Sequence, residues 1–135
     1  MEDLLNGDGL VLRDLTEKII AAAMPVHTAL GPGLLESAYE ACLVHELLKA
    51  DLSTCNQVEL PIRYDGLTLD IGYRIDVLVE NLVIIELKAV DTVLPIHKAQ
   101  LISYLKLSGK DVGLLINFNV LHLRDGIDRL HRLSR

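Results

Sequence analysis

The dipeptide Asp65-Gly66 stands between two strictly alternating runs, Val58-Leu60-Ile62-Tyr64 before it and Leu67-Leu69-Ile71-Tyr73 after it. Asp-Gly accepts the positive φ values that a two-residue hairpin turn demands, so this pattern dictates an antiparallel pair of strands. Such a turn pairs Tyr64 with Leu67, Ile62 with Leu69 and Leu60 with Ile71, and every apolar side chain then falls on one face. Pro61 has no N–H to give to a ladder, which makes the first strand an edge strand. The second strand is expected to continue through Ile75, Val77 and Val79, with Asp70, Arg74 and Asp76 on its opposite face.

Helices and further strands frame this hairpin. Leu10 to Leu30 reads as a helix with Leu12, Leu15, Ile19, Ala23, Val26 and Leu30 on one face, and with a kink expected at Pro25. Gly31-Pro32-Gly33 stops it, and a second helix is predicted from about Leu34 to Ala50. A third strand spans Leu82 to Ala89. Pro95 to Leu107 is a helix opened by Pro95 and closed by Gly109, and Val112 to Phe118 is an apolar run that suits a buried central strand. Strand, helix and strand form a crossover, so the third and fourth strands should be parallel. Leu121 to Arg124 is read as a short last strand. The order α-α-β-β-β-α-β-β defines an α/β sandwich on a mixed sheet of four to five strands flanked by helices. Residues 1–9 are expected to be frayed, with Gly7 and Gly9 as breakers, and residues 10–135 to form a single domain.

Composition sets the outer bounds. Half of the 135 residues are hydrophobic, which excludes intrinsic disorder and supplies a core without disulfide or metal staples. The longest apolar stretch, Ile19 to Val26, is broken by Pro25 and falls far short of the ~20 residues of a membrane span. No basic start followed by an apolar segment marks a signal peptide. Cys42 and Cys55 form no framework, so a reduced, cytoplasmic protein is the expectation.

The net charge is −6, but it is unevenly spread. Residues 98–135 carry seven Lys/Arg and three Asp/Glu, a net of +4, whereas residues 1–97 carry a net of −10. That asymmetry allows a basic face beside an acidic site, although a solvated, charged C-terminus explains it as simply. Four Tyr, one Phe and no Trp argue against an extended platform of stacked bases.

The residues that carry chemistry cluster in the second half. Glu86 and Lys88 share one pleat of an otherwise apolar strand, and their head groups are costly to bury without partners. Alone, they read as an exposed strand end. Asp76 on the preceding strand changes the balance, subject to the parity of the hairpin at Glu80-Asn81. A strict two-residue turn sets Asp76 opposite Ile85, whereas an odd-length loop or a bulge sets it beside Glu86. Two adjacent carboxylates repel and call for a cation, and hard oxygen ligands suit Mg²⁺ or Mn²⁺. The alternative is a surface ion pair of little worth, Arg74 with Asp76 or Lys88 with Glu86.

Gln100 and Tyr104 lie four residues apart on one helical face, which His97 extends. Glu36 falls in the first turn of the second helix, where the helix dipole favours it, and Tyr39 and Glu40 project from the same side. His27 ends the first helix near Glu36, a place for a capping or half-buried histidine as much as for a ligand.

Val26-His27-Thr28-Ala29-Leu30-Gly31-Pro32-Gly33-Leu34-Leu35-Glu36-Ser37-Ala38-Tyr39-Glu40 resembles the signature of the small GxxExxY proteins, with Gly33, Glu36 and Tyr39 at the named positions. The resemblance runs from Leu15 to Phe118 and places the chain in the PD-(D/E)XK nuclease superfamily. Asp76 followed by Glu86-Leu87-Lys88 resembles that superfamily's catalytic core, with Ile75 where proline gives the motif its name. Gln100-Leu101-Ile102-Ser103-Tyr104 resembles the Gln-x3-Tyr motif of the RecB-like branch.

The resemblance implies a restriction-endonuclease-like fold and hydrolysis of phosphodiester bonds in nucleic acid, with DNA favoured over RNA. It implies that Asp76, Glu86 and the backbone carbonyl of Leu87 hold one Mg²⁺ or Mn²⁺, completed by Glu36 directly or through water. His27 is a further candidate ligand that tilts the preference towards Mn²⁺. Lys88 would orient the attacking water, and Gln100 and Tyr104 would position the substrate. A competing expectation is a catalytically inactive accessory or interaction module on the same fold, and a homodimer suits either. Small-molecule hydrolase or transferase chemistry has no support, because the chain lacks GxSxG, a phosphate-binding glycine loop, a dinucleotide fingerprint and HExxH.

Overall fold

A computed structural model describes residues 7–132. The elements are α1 (Gly7–Leu30), α2 (Glu36–Lys49), β1 (Thr54–Glu59), β2 (Ile62–Tyr64), β3 (Leu67–Leu69), β4 (Arg74–Val79), β5 (Val83–Lys88), α3 (Pro95–Ser108), β6 (Val112–Asn117) and β7 (Ile127–His131). Five strands form one mixed sheet in the order β1-β4-β5-β6-β7, and β2 and β3 form a separate two-stranded arm. The fold class expected from the sequence is therefore observed.

Both faces of the sheet are covered. On one, Ile19 and Ala23 of α1 and Tyr39, Leu43 and Leu47 of α2 pack against Val77, Ile85, Leu87, Leu114 and Ile116. On the other, Leu101, Tyr104 and Leu105 of α3 pack against Ile75, Ile84 and Leu115. Each fully buried aliphatic side chain contributes about 1.5–3 kcal/mol. Gly113 in β6 lets α3 approach closely, since a Cβ there would lie 2.9 Å from Leu101 Cδ1. As expected, β5 and β6 are parallel and joined through α3. The helix ends at Gly109, whose φ of 75° closes it.

Four boundaries differ from expectation. Gly7 and Gly9 lie inside α1 rather than in a frayed end; in a first turn the N–H groups lack helical partners anyway, so glycine costs little there. The rest of the expected frayed segment, residues 1–6, lies outside the described residues. The strand predicted through Val58 to Tyr64 is broken at Leu60-Pro61 into β1 and β2, and its partner is broken at 70–73 into β3 and β4. The Asp65-Gly66 turn pairs Tyr64 with Leu67 and Ile62 with Leu69 as predicted. Beyond it, Val58 pairs with Ile75 and the Leu60 N–H donates to Tyr73 O, not to Ile71. Two extra residues on the second strand, with Gly72 at φ 100°, shift the register by two and so keep the parity of the pairing. The single face expected for Ile75, Val77 and Val79 is not kept: Ile75 packs with α3, whereas Val77 and Val79 pack with α1 and α2. Finally, Leu121 to Arg124 is not a strand. Leu123–Gly126 is a 3₁₀ turn, and the last strand is β7, antiparallel to β6. Gly126 is required there, because a Cβ would lie 2.1 Å from the Asn117 carbonyl oxygen.

Among the described residues no helix is long and apolar enough to cross a membrane. Cys42 and Cys55 are unpaired.

Candidate active site

The turn between β4 and β5 settles the parity question. Val79 pairs with Val83, Leu78 with Ile84 and Val77 with Ile85. Glu80 and Asn81 both take positive φ, 54° and 55°, and the Leu82 N–H closes the turn on Val79 O at 2.9 Å. Leu82 is the extra residue, a bulge behind a primed turn. The loop is odd in length, so the same register carried one step further sets Asp76 beside Glu86.

The β4–β5 ladder stops at Val77 and Ile85. Beyond it β4 stays with β1 and β5 stays with β6, so the two strands splay apart. Side chains bridge the opening. The Leu87 N–H donates to Asp76 Oδ2 at 2.8 Å, and the Asp76 N–H points at Glu86 Oε1 at 3.5 Å. The N–H and C=O of one strand residue face the same neighbour, so the Leu87 carbonyl also faces the opening. The Lys88 carbonyl points the other way and accepts from Phe118 N.

Burial makes this pair expensive when ionised. Glu86 is only 5% exposed, and its carboxyl is pushed up from 4.5 to about 8, first by desolvation and then by the charge of Asp76. Asp76 is also raised, chiefly by burial and further by Glu40 and Glu36, against the Leu87 hydrogen bond and the Lys88 ammonium. Lys88 is half-buried, and its side chain makes no hydrogen bond or ion pair among the described residues. Two oxygen ligands in need of positive charge fit a hard divalent cation. No three His, Cys, Asp or Glu side chains converge on one point among the described residues. The fit is thus to an open site of the Mg²⁺ type, which keeps several waters, rather than to an all-protein cage.

The remaining predicted residues divide into two groups. Gln100 Nε2 donates to Tyr104 Oη at 2.9 Å on the α3 face that covers this side of the sheet. Tyr104 is held above its ordinary value by burial and also senses Glu86 and Asp76. Glu36 opens α2, exposed, and acts on the carboxylate pair through its charge alone. His27 has no hydrogen bond to Asp76 or Glu86; its Nε2 lies 2.7 Å from Val120 O and its ring 6.3 Å from Phe118. Only Nδ1 is left to it as a ligand atom.

Tyr39 is structural. Its hydroxyl donates to Gly31 O at 2.6 Å and accepts from Leu34 N at 3.1 Å, while its ring stacks on Phe118 at 4.6 Å. It pins the break between α1 and α2, where Leu35 offers no side-chain cap.

One neighbour was not singled out as a site residue in the sequence. Glu40 accepts from Asn56 Nδ2 at 3.1 Å and Gln57 Nε2 at 2.9 Å. Gln57 has a φ of 53° and faces Asp76 across the gap in the β1–β4 pairing. The spacing of Glu36 and Glu40, one helical turn, was the available signal.

A mixed sheet covered by helices on both faces, with Asp, Glu and Lys where the central strands part, defines a restriction-endonuclease-like nuclease fold. The family model of the PD-(D/E)XK nuclease superfamily matches residues 13–130, and the chain belongs to that superfamily. A solved structure described as "Crystal structure of SSO0001" is similar at 28% identity over 73% of this chain and 53% of that one, with a TM-score of 0.42. This chain thus spans about half the length of that protein. A search of curated proteins gave no match.

Proposed function

We propose that the protein is a metal-dependent nuclease that hydrolyses phosphodiester bonds in nucleic acid, with DNA favoured over RNA. The observation that carries this reading is the carboxylate pair in the β4–β5 splay, buried, mutually repelling and bridged by Asp76 to the Leu87 N–H. In this reading Asp76, Glu86 and the Leu87 carbonyl hold Mg²⁺ or Mn²⁺, with Glu36 acting through a water and His27 Nδ1 as a further candidate. The bound cation supplies a Lewis acid for the scissile phosphate and a more acidic water. Lys88, next on the same pleat, orients the attacking water and offsets charge on the phosphate. Gln100 and Tyr104, locked to each other, hold the nucleic-acid backbone against the site. The Gly33-Glu36-Tyr39 spacing supports placement in the GxxExxY group, and Gln100-x3-Tyr104 supports the RecB-like branch. We take the protein to act in the cytoplasm.

The test is cleavage of labelled single- and double-stranded DNA and RNA with Mg²⁺ or Mn²⁺, beside Glu86→Ala. Metal-dependent cutting abolished in the variant is the expected result. Absence of cutting by folded protein on all four substrates overturns the reading.

A second reading, a partner-binding module without catalysis, is favoured by the β2–β3 arm. It is separate from the main sheet and exposes Tyr64 and Leu67, with Ile71 exposed just after it. A second copy of the chain is one candidate partner. Calorimetric titration with Mn²⁺ separates the readings, since the nuclease loses its metal binding with Asp76→Ala and a pure binding module has none to lose.

A further inference from the structure

A cavity of about 440 Å³ lies between the β2–β3 arm and α3, within the ~300–1,000 Å³ range of small-molecule pockets. Gln100, Ser103, Tyr104 and Leu107 form one wall, spaced as a single stripe of α3. Tyr73, paired with Leu60 just after the two extra residues and before β4, forms the opposite wall with Ile62 of the arm. Lys106 stands at the edge and has no ion-pair partner among the described residues. No carboxylate lines the cavity, although the protein as a whole is acidic.

The two tyrosines make the cavity more than an apolar hollow. Their rings meet edge to face, with centroids 6.1 Å apart at 66°. Tyr104 is held by the Gln100 hydrogen bond, and the Tyr73 main chain is anchored by its carbonyl, which accepts from Leu60 N at 2.9 Å. Tyr73 as a residue remains 42% exposed, so it is open to a ligand. Tyr104 belongs to both the cavity and the α3 face over Glu86. Tyr104 thus links the cavity to the carboxylates, whose charges it senses.

We propose that this cavity takes one unstacked nucleobase of a single-stranded substrate, stacked on Tyr73, with the adjoining phosphate met by Lys106. The proposal rests on the nucleolytic reading above and specifies its substrate. Aromatic surface, amide and hydroxyl groups from Gln100 and Ser103, and an unpaired cation match a base and its phosphate. A base within a duplex is stacked on both sides and cannot enter without leaving the helix, which is why the cavity selects single strands. One stacking site, rather than a platform, also accords with a chain that has so few aromatic residues.

The test uses the full chain with Ca²⁺ in place of Mg²⁺ and a short single-stranded DNA carrying 2-aminopurine, with the matching duplex as competitor. Stacking changes the emission of the probe and anisotropy reports affinity. The wild type is expected to prefer the single strand. Tyr73→Ala is expected to weaken single-strand binding about tenfold and to remove the stacking signal. Tyr73→Phe should retain both, and Tyr64→Ala, on the arm but outside the cavity, should match the wild type. Unchanged affinity and emission in Tyr73→Ala overturn the subsite, even if the protein cuts with Mg²⁺, as does a wild type that binds no single strand. Tyr73-dependent binding by a protein that never cuts keeps the subsite and overturns the nuclease instead.

Discussion

The Leu87 N–H donates to Asp76 Oδ2 at 2.8 Å where the β4–β5 ladder has already ended. A carboxylate proposed as a ligand is thus also a replacement for a missing strand-to-strand hydrogen bond. Asp76→Ala should therefore lose activity and stability together, the latter by about 1–3 kcal/mol, because it leaves a buried amide unpaired. Asp76→Asn keeps an acceptor oxygen and should recover most of the stability without the activity. Urea denaturation beside the cleavage assay separates the two effects.

Glu86 should behave in the opposite sense. Its carboxylate is buried beside Asp76 and accepts only a long contact at 3.5 Å. Glu86→Gln removes a repulsion, so without metal at pH 8 it should be more stable than the wild type by about 0.5–2 kcal/mol while losing cleavage. Equal or lower stability in the variant contradicts the electrostatic account of the pair.

The pH dependence follows from the same group. The folded chain holds the Glu86 proton up to about 8, whereas the unfolded chain releases it near 4.5. Between these values the folded state binds more protons, so stability falls as pH rises. The contribution is fully present below about 4.5 and lost above about 8. In EDTA, the denaturation midpoint of the wild type relative to Glu86→Gln should drop between pH 5.5 and pH 8.5. If Asp76 and Glu86 hold the metal as proposed, Mn²⁺ should shrink or reverse that drop by binding the ionised pair.

Lys88→Ala should reduce cleavage about 10²–10³-fold, the usual effect of removing a group that stabilises transition-state charge, with little loss of stability because the side chain makes no hydrogen bond among the described residues. Single-turnover rates at saturating substrate measure the step concerned, and an unchanged rate removes Lys88 from the mechanism.

Tyr39→Phe tests a structural assignment. The hydroxyl satisfies both Gly31 O and Leu34 N, so its loss should cost about 1–3 kcal/mol. Cleavage per folded molecule should persist. A variant as stable as the wild type but inactive would place Tyr39 in the chemistry instead.

Much of this site was legible because parity is a binary property. The sequence required an odd loop or a bulge to bring Asp76 to Glu86, and Leu82 provides it. The two-residue shift near Gly72 is not legible for the same reason, since an even shift leaves the parity of the pairing unchanged. The last strand was misplaced because Ile127–His131 shows no alternation in burial and is defined by its pairing with β6. The role of Glu40 is not legible in the sequence, since its partners depend on the left-handed backbone at Gln57, a tertiary feature without a local signal.

The dual duty of Asp76 bears on how related chains should be interpreted. A descendant that abandoned hydrolysis would still be penalised for discarding this aspartate, because the sheet would lose a bond with it. Lys88 carries no such obligation and is free to drift once chemistry is no longer selected. On the proposed mechanism, an intact lysine is therefore a better witness to a living enzyme across relatives than a retained aspartate, which the sheet alone would preserve.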